Sequence, residues 1–415
     1  MLQNGLRVLT AALDHVQSVT CVIMLAAGAR YETRENNGIA HFAEHMFFKG
    51  TERRPDANAI ATEIDAIGGE FNAFTSKEYT GYYVRCAAEF RDTALDVLAD
   101  MIRNSKFDSE EIEREKGVII EEMNMYHDTP RDYVGGVYEE LLYDDHPLGW
   151  DTLGRKETIR AASRETFLDY LGAWYKPSRM VIGVGGRIEG DLVGRIEELL
   201  GDLEDGQTGA PEPARVAASN GARVKLHTKA SDQAHLVLGV PSYPIEHPDR
   251  YALQIVAGIL GSGMSSRLFT EVRERRGLAY YVYASNHSYV DTGSLYSQAG
   301  VDLKRADEAV ETIARELRRI ADETVGADEL EKAKNLAKGR LTLQLENPQG
   351  LILFGLRREV LEGRTAEPQE VIDGLNAVTV EDVQRVALDV IGQQGLNLAL
   401  IGPFDDSERF QKLLG

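Results

Sequence analysis

The sequence predicts an α+β fold made of two homologous modules, in each of which a mostly antiparallel sheet packs against helices. Two observations support this prediction. The chain has 415 residues, which is too long for a single compact core. The order of its predicted strands and helices also repeats, once on each side of a stretch rich in Gly, Pro, Ala and charge.

That stretch has the composition of a linker. It covers residues 204–220 and lacks the apolar periodicity of a helix or a strand. We therefore predict a first module at 1–203 and a second module at 221–415.

The elements of the first module follow from its hydrophobic periodicity. In chain order they are an amino-terminal strand, a strand at 19–31, helices at 38–50 and 57–69, strand material at 70–86, helices at 91–104 and 110–125, and a helix and strand within 164–186. The second module repeats this order with a strand at 234–242, helices at 251–261 and 265–277, a strand pair at 279–301, helices at 306–321 and 327–347, and a helix and strand within 380–402.

Composition narrows the class of protein. Hydrophobic residues make up 43% and charged residues 27% of the chain, as in ordinary soluble proteins, and no apolar run approaches the roughly 20 residues of a membrane-spanning helix. The formal net charge of −21 disfavours nucleic acid and would attract cationic partners. The amino terminus lacks a secretory signal pattern, and both cysteines lie in apolar segments. We expect a cytoplasmic protein, or a mitochondrial matrix protein if a presequence has been removed.

The five residues from His41 to His45 carry the strongest chemical signal. On a helix, His41 and His45 project from one face and can bind one metal ion through imidazole nitrogens. Glu44 then lies beside them, where a carboxylate can take a proton from a metal-bound water. The corresponding helix of the second module, 251–261, contains no such residues, so the shared scaffold does not require them.

The surroundings of this motif strengthen the metal interpretation. The helix is otherwise almost entirely apolar, and unpaired ionisable groups in such a place would cost several kcal/mol. The alternative is that the two histidines are core residues salt-linked to Glu44.

A third ligand is expected from the glutamate-rich helix at 110–125. Glu115 and Glu122 are two helical turns apart and interrupt an apolar stripe, which is costly unless they meet a cation. Periodicity alone does not exclude Glu121.

These residues and their spacing resemble the inverted-zincin metallopeptidases, which include pitrilysin, insulin-degrading enzyme and the mitochondrial processing peptidase. The resemblance covers essentially the whole chain, and the two-module plan is that of the processing-peptidase-like branch. In that family 76 residues separate the motif from the glutamate ligand, which here implies Glu122 rather than Glu121 and one zinc ion per chain. The family pattern also implies that Glu115 orients the site from outside the ligand set.

The resemblance assigns further residues to the substrate. Arg273 and Tyr280 match a family pair that binds and polarises the substrate, although a surface arginine and a core tyrosine are the structural alternatives. Asn72, Ala73 and Phe74 match the edge strand to which a substrate peptide adds as an extra strand.

The function that the resemblance implies is zinc-dependent endopeptidase activity on extended peptides or unfolded segments inside a chamber, with Glu44 as general base. Relatives of this size use four modules, so a homodimer is expected, in which each site takes the arginine and tyrosine from the other subunit. A heterodimer with a metal-free homologue is an alternative. Two other functions stay open: a dedicated processing peptidase for basic targeting peptides, and a non-catalytic core or assembly subunit of the same fold.

Overall fold

A computed structural model of the chain describes residues 1–217, 221–392 and 394–414, so residues 218–220 of the predicted linker lie outside the described residues. The described residues form two compact units. Unit 1 comprises 1–124, 150–212 and 343–366, and unit 2 comprises 125–149, 213–342 and 367–415. Each unit contains a five-stranded sheet with helices packed on it, which confirms the predicted α+β class with two sheet-and-helix modules.

The sheet of unit 1 has the strand order β1-β5-β2-β4-β3. Its strands are β1 (Arg7–Ala12), β2 (Ser18–Leu25), β3 (Glu70–Thr75), β4 (Thr80–Ala87) and β5 (Met180–Gly186). Only the pair of β1 and β5 is parallel among the pairs described in this sheet. β3 is an edge strand, with Ala73 opposite Tyr82 of β4.

The sheet of unit 2 repeats this arrangement in the order β6-β10-β7-β9-β8. Its strands are β6 (Arg223–Thr228), β7 (Gln233–Ser242), β8 (Ala279–Ser288), β9 (Gly293–Asp302) and β10 (Asn397–Gly402). Here the parallel pair is β6 with β10, and β8 is an edge strand. The two sheets therefore share one topology, as the repeated order of elements in the sequence predicts.

The helices complete both units. In chain order they are α1 (Ile39–Phe47), α2 (Ala57–Ala66), α3 (Arg91–Asn104), α4 (Ser109–His127), α5 (Pro130–Tyr143), α6 (Lys156–Ala161), α7 (Arg164–Trp174), α8 (Leu192–Leu200), α9 (Arg250–Gly261), α10 (Ala306–Asp322), α11 (Ala327–Leu345), α12 (Pro348–Leu361), α13 (Pro368–Ala377), α14 (Val380–Ala387) and α15 (Ser407–Leu414). None of the helices among the described residues is both long and apolar enough to cross a lipid bilayer.

In each half of the sequence, one helix packs on the sheet that the strands of the other half form. α12, from the second half, packs against β1, β2 and β5, whereas α5, from the first half, packs against β6, β7 and β10. Glycines permit the close approach, because a Cβ atom at Gly185 would lie 2.6 Å from the carbonyl oxygen of Pro348. A Cβ atom at Gly239 of β7 would likewise lie 2.6 Å from the hydroxyl of Tyr138 on α5.

Two predicted elements differ from the structure. The strand predicted at 19–31 ends at Leu25, because the backbone N–H groups of Ala29 and Arg30 donate to the carbonyls of Ser76 and Lys77 instead of continuing the sheet. The helix predicted at 265–277 is π-helical over Phe269–Glu274. π-Helical turns are rare and often lie at functional sites.

Candidate metal centre

The helix that carries the predicted ligands is fixed at its amino-terminal end. α1 starts after Gly38, whose φ of 96° requires glycine. The buried carboxylate of Glu32 accepts hydrogen bonds from the N–H groups of Gly38 and Ala40, each 2.8 Å long, and so caps free donors of the first turn. Phe42 packs edge-to-face on Phe167 in the core, with ring centroids 4.9 Å apart. These contacts hold α1 rigidly in the core of unit 1.

Three predicted ligands converge between α1 and α4. One ligand atom from each of His41, His45 and Glu122 lies within 4.8 Å of the other two. The Nε2 atom of His41 is 3.6 Å from Oε1 of Glu122, and Nε2 of His45 is 3.4 Å from Oε2. Glu121 is exposed on the adjacent face of α4, so Glu122 is the glutamate of this pair that faces both histidines.

The spacing of these donor atoms fits a zinc ion. Two ligands bound tetrahedrally at about 2.0–2.1 Å from zinc are separated by roughly 3.3–3.4 Å. The Nε2 atoms of His41 and His45 lie 3.6 and 3.4 Å from Glu122, each from a different carboxylate oxygen. Both distances exceed the roughly 2.7–2.9 Å of a direct charge-assisted hydrogen bond. Two imidazoles and one carboxylate are also a set that leaves one position of a four-coordinate zinc open, as in catalytic sites.

Glu115 orients the imidazole of His45. Its Oε1 atom lies 2.9 Å from Nδ1 of His45, so Nδ1 carries the proton and Nε2 faces Glu122. Burial lowers the pKa of His45, but hydrogen bonds to Glu115 and Glu122 and the charges of these carboxylates raise it to about 9. Zinc would therefore displace a proton from His45 when it binds near neutral pH.

The pKa of His41 is shifted in the opposite direction to that of His45. Burial and the charge of His45 lower its pKa to about 4, and the charges of Glu122 and Asp151 only partly compensate. His41 is consequently neutral near pH 7, which is the form that binds a metal. Its Nδ1 atom is buried and has no hydrogen-bond partner among the described residues.

Glu44 is held beside the ligands by the edge strand. Its Oε2 atom accepts a hydrogen bond of 2.5 Å from the hydroxyl of Thr75, the last residue of β3. Burial raises the pKa of Glu44, the hydrogen bond from Thr75 and the charge of His45 lower it, and the charge of Glu122 raises it, with a net increase. A partly buried carboxylate of this kind is suited to accept and return a proton.

The predicted substrate strand lies at the sheet edge next to this carboxylate. Asn72, Ala73 and Phe74 belong to β3, which pairs with β4 alone among the described strands. The N–H of Ala73 donates to Oδ1 of Asn72 at 2.8 Å, so an added strand that uses this N–H would displace the Asn72 side chain. The Phe74 ring turns inward and covers Gly81 of β4.

Arg273 and Tyr280 belong to unit 2, where the structure brings them together. The Arg273 guanidinium lies 4.9 Å from the ring centroid of Phe269 and 5.9 Å from that of Tyr280. Tyr280 sits at an irregularity in the pairing of β8 with β9 and is 76% exposed, so it is not a core residue of the strand. Both side chains are available to a ligand, and the π-helical segment carries the arginine.

Two residues that support this centre were not anticipated. Glu32 and Thr75 act through hydrogen bonds to residues up to 31 positions away, which sequence spacing does not reveal. The only local signal was that Thr75 directly follows Asn72, Ala73 and Phe74 in the predicted substrate strand.

Together, the fold and the site define a two-module α+β protein in which one module carries an HxxEH sequence and a candidate metal centre. Residues 7–156 match the family model described as Insulinase (Peptidase family M16), and residues 161–337 match the model described as Peptidase M16 inactive domain. The chain therefore belongs to peptidase family M16. The second description agrees with the absence of the HxxEH motif from the second half of the sequence.

Individual relatives extend over almost the whole length. The chain is 38% identical to the uncharacterized zinc protease YmxG of Bacillus subtilis, with 97% of both chains covered. A solved structure of a protease from Helicobacter pylori has the same fold, with a TM-score of 0.90, 22% identity and coverage of 97% of this chain and 98% of the other. A chain of complex III2 from Candida albicans also shares it, with a TM-score of 0.86, 18% identity and coverage of 100% and 98%.

Proposed function

We propose that this chain is a zinc metalloendopeptidase that hydrolyses extended peptides or unfolded segments. The observation that carries the proposal is the convergence of His41, His45 and Glu122 with the Glu44 carboxylate beside them. The zinc protease name of a relative that matches 97% of the chain supports it.

Each residue of the candidate centre has a separate role in the proposed reaction. Zinc held by His41, His45 and Glu122 would supply Lewis acidity to a water molecule and to the scissile carbonyl. Glu44 accepts the proton of the attacking water at its carboxylate and returns it to the leaving amine. Thr75 holds that carboxylate in place through its hydroxyl.

Substrate binding is assigned to the edge strand β3. An extended peptide that pairs with the backbone of Asn72, Ala73 and Phe74 would add a sixth strand beside the sheet. Recognition through the backbone depends only weakly on the side chains of the substrate. We therefore expect the enzyme to cleave peptides of many sequences and not to cleave folded proteins.

We assign Arg273 and Tyr280 to the same reaction, contributed by a second copy of the chain in a homodimer that encloses a chamber. A guanidinium and a phenol are suitable donors to the carbonyl oxygen on which negative charge develops. Their exposure and mutual proximity support the assignment.

The decisive experiment is a digest of a mixed peptide pool by the purified full-length chain, read by mass spectrometry with and without a zinc chelator. We expect cleavage that stops on chelation and returns with zinc. The Glu44→Gln variant should keep its zinc and lose about 10²–10⁴-fold in kcat, the usual contribution of a general base. Undiminished turnover by the zinc-loaded variant would refute the mechanism, and a chain that neither binds zinc nor cleaves peptides would favour a non-catalytic core subunit.

A second candidate function is a single cut in basic targeting peptides. The formal net charge of −21 favours it, because an acidic protein attracts cationic peptides. Adding one basic presequence-like peptide to the digest separates the two functions: a processing enzyme cuts it once and spares the pool, whereas a general peptidase degrades both.

A further inference from the structure

The carboxylate that orients His45 is itself held by a lysine. Glu115 is 5% exposed, and its two oxygens have different partners: Oε1 meets Nδ1 of His45 at 2.9 Å, and Oε2 meets Nζ of Lys49 at 2.5 Å. Lys49 follows α1 by two residues, so both partners of Glu115 come from the segment that carries the histidine ligands.

The second contact determines where the first one points. A carboxylate anchored through one oxygen alone can rotate about its terminal torsion, which is broad in glutamate. With Oε2 fixed by Lys49, Oε1 has a defined position, and so does the Nδ1–H group of His45 that donates to it. The pair also places the cation of Lys49 beside a buried negative charge.

The contact differs from an ordinary surface ion pair. Exposed pairs contribute little, because solvent screens them and both side chains lose rotamer freedom. The Lys116–Glu113 pair on α4 is of that ordinary kind, with a distance of 2.6 Å and a Glu113 side chain that is 69% exposed. In the Lys49–Glu115 pair the acidic side chain is 6% exposed and touches a ligand residue.

We propose that Lys49 is a positioning residue of the metal centre, which acts through Glu115 to aim Nε2 of His45 at the site shared with His41 and Glu122. The proposal rests on the zinc site of the proposed function but not on peptide hydrolysis. Loss of an outer partner of a ligating histidine typically weakens metal binding by about 10–100-fold. That range applies to Glu115, and Lys49 acts one step further out, so we expect Lys49→Met to raise the dissociation constant for zinc by about 10-fold, the low end of the range.

The test measures zinc affinity of the full-length chain by competition with a chromophoric chelator, in the absence of substrate. Lys49→Met should bind zinc more weakly, Lys49→Arg should recover most of the loss because it restores a cation, and Lys116→Met should match the wild type. The visible absorption of the cobalt-substituted protein should change in Lys49→Met and not in Lys116→Met. Equal zinc affinities in all four proteins would overturn the proposal.

A double variant shows whether Lys49 acts through Glu115. If it does, Lys49→Met adds nothing to the loss caused by Glu115→Gln, so the double variant and Glu115→Gln bind zinc equally. Losses that simply multiply would mean that Lys49 acts independently, against the proposal. Failure of zinc to bind the wild type would instead refute the proposed function, so the two failures are distinguishable. If Lys49→Met does not fold, Lys49→Gln takes its place, since it removes the cation and keeps a polar side chain; zinc affinity equal to that of the wild type would then overturn the proposal.

Discussion

Adjacent glutamates on α4 provide a matched pair for testing the metal centre at the scale of single residues. Glu122 faces both histidines, whereas Glu121 is exposed to solvent. Glu122→Gln removes a proposed ligand, so we expect zinc affinity to fall by more than the roughly 10–100-fold that loss of an outer partner costs. Glu121→Gln should leave it unchanged. Chelator competition on both variants gives the answer, and equal affinities would exclude Glu122 as a ligand.

The hydroxyl of Thr75 should matter for turnover and not for metal binding. Thr75→Val removes the hydrogen bond to the Glu44 carboxylate, and hydrogen bonds to charged groups contribute about 1.5–3 kcal/mol. We expect kcat to fall by about 10-fold or more at unchanged zinc content, with Thr75→Ser close to the wild type. Steady-state kinetics of peptide cleavage check this, and a Thr75→Val enzyme with wild-type kcat would contradict it.

The residues of the HxxEH motif could be predicted from the sequence, whereas Glu32 and Thr75, which hold the motif in place, could not. His41, Glu44 and His45 are neighbours in sequence, and helical spacing alone puts the two histidines on one face. From the residues alone the choice between Glu121 and Glu122 stayed open, since both border an apolar stripe. Thr75 and Glu32 reach the centre only after a strand or a capped helix has formed, and no spacing rule encodes such contacts.

At the scale of elements, the packing of α12 on β5 predicts a strict requirement for glycine. A Cβ atom at Gly185 would lie 2.6 Å from the carbonyl oxygen of Pro348 and 2.8 Å from Cβ of Ile352. The Pro348 carbonyl belongs to the backbone of α12, so it cannot move aside as a flexible side chain could. Gly185→Ala should therefore cost about 1–3 kcal/mol in the free energy of unfolding. Gly172→Ala on α7 is the control, because its added Cβ meets nothing within 4 Å beyond its chain neighbours and the adjacent backbone of its own helix, and alanine favours helix by about 1 kcal/mol. Denaturant unfolding measures both changes; a stable Gly185→Ala protein would show that α12 can shift.

An ionic cluster joins the segment after α1 to α3. Oδ2 of Asp100 accepts from the Arg54 guanidinium and the Thr51 hydroxyl, both at 2.6 Å. Burial raises the pKa of Asp100, but hydrogen bonds from Thr51, Asn104 and Arg54 outweigh it, so the pKa lies below its ordinary value. A lowered carboxyl pKa gives stability that is present above the unfolded pKa of about 3.9 and is lost as the pH falls through the folded pKa.

Asp100→Asn should therefore cost about 1.5–3 kcal/mol at pH 7, the range for a hydrogen bond to a charged group. The difference from the wild type should shrink as the pH falls below the unfolded pKa of about 3.9, because the unfolded carboxylate then takes up a proton before the native one does. Urea unfolding at pH 7 and pH 3 measures both values, with the exposed Asp169→Asn on α7 as control. A difference that is the same at both pH values would contradict the role of ionised Asp100.

The sequence predicted element types well and the partners of the elements poorly. Helix 91–104 has the predicted bounds. The pairs β3 with β4 and β8 with β9 lie in the segments 70–86 and 279–301, where strands were predicted from the sequence. The helices α5 and α12 were not among the predicted elements, so their packing was not predicted either. An amphipathic helix shows which of its faces is buried but not which sheet covers that face, because the contact joins residues far apart in the chain.

At the scale of the whole molecule, the exchanged helices show that the two halves of the sequence are not closed units. Unit 1 needs residues 343–366 and unit 2 needs residues 125–149, although each half carries its own five strands. Duplication of the module was visible in the sequence because the order of elements repeats. The exchange leaves that order unchanged, so it becomes visible only in the folded structure.

The proposed homodimer makes a prediction about mixed subunits. One variant carries Glu44→Gln, and the other carries Arg273→Ala with Tyr280→Phe; we expect each alone to be nearly inactive. If the arginine and tyrosine act on the partner's zinc module, each mixed dimer regains one complete site. About half of randomly paired dimers are mixed, so co-expression should restore about a quarter of wild-type activity.

Peptide cleavage by the co-expressed pair, with differently tagged subunits to isolate mixed dimers, measures the recovery. Mixed dimers without activity would mean that the pair does not act across subunits, because a site built within one chain always retains one of the two defects.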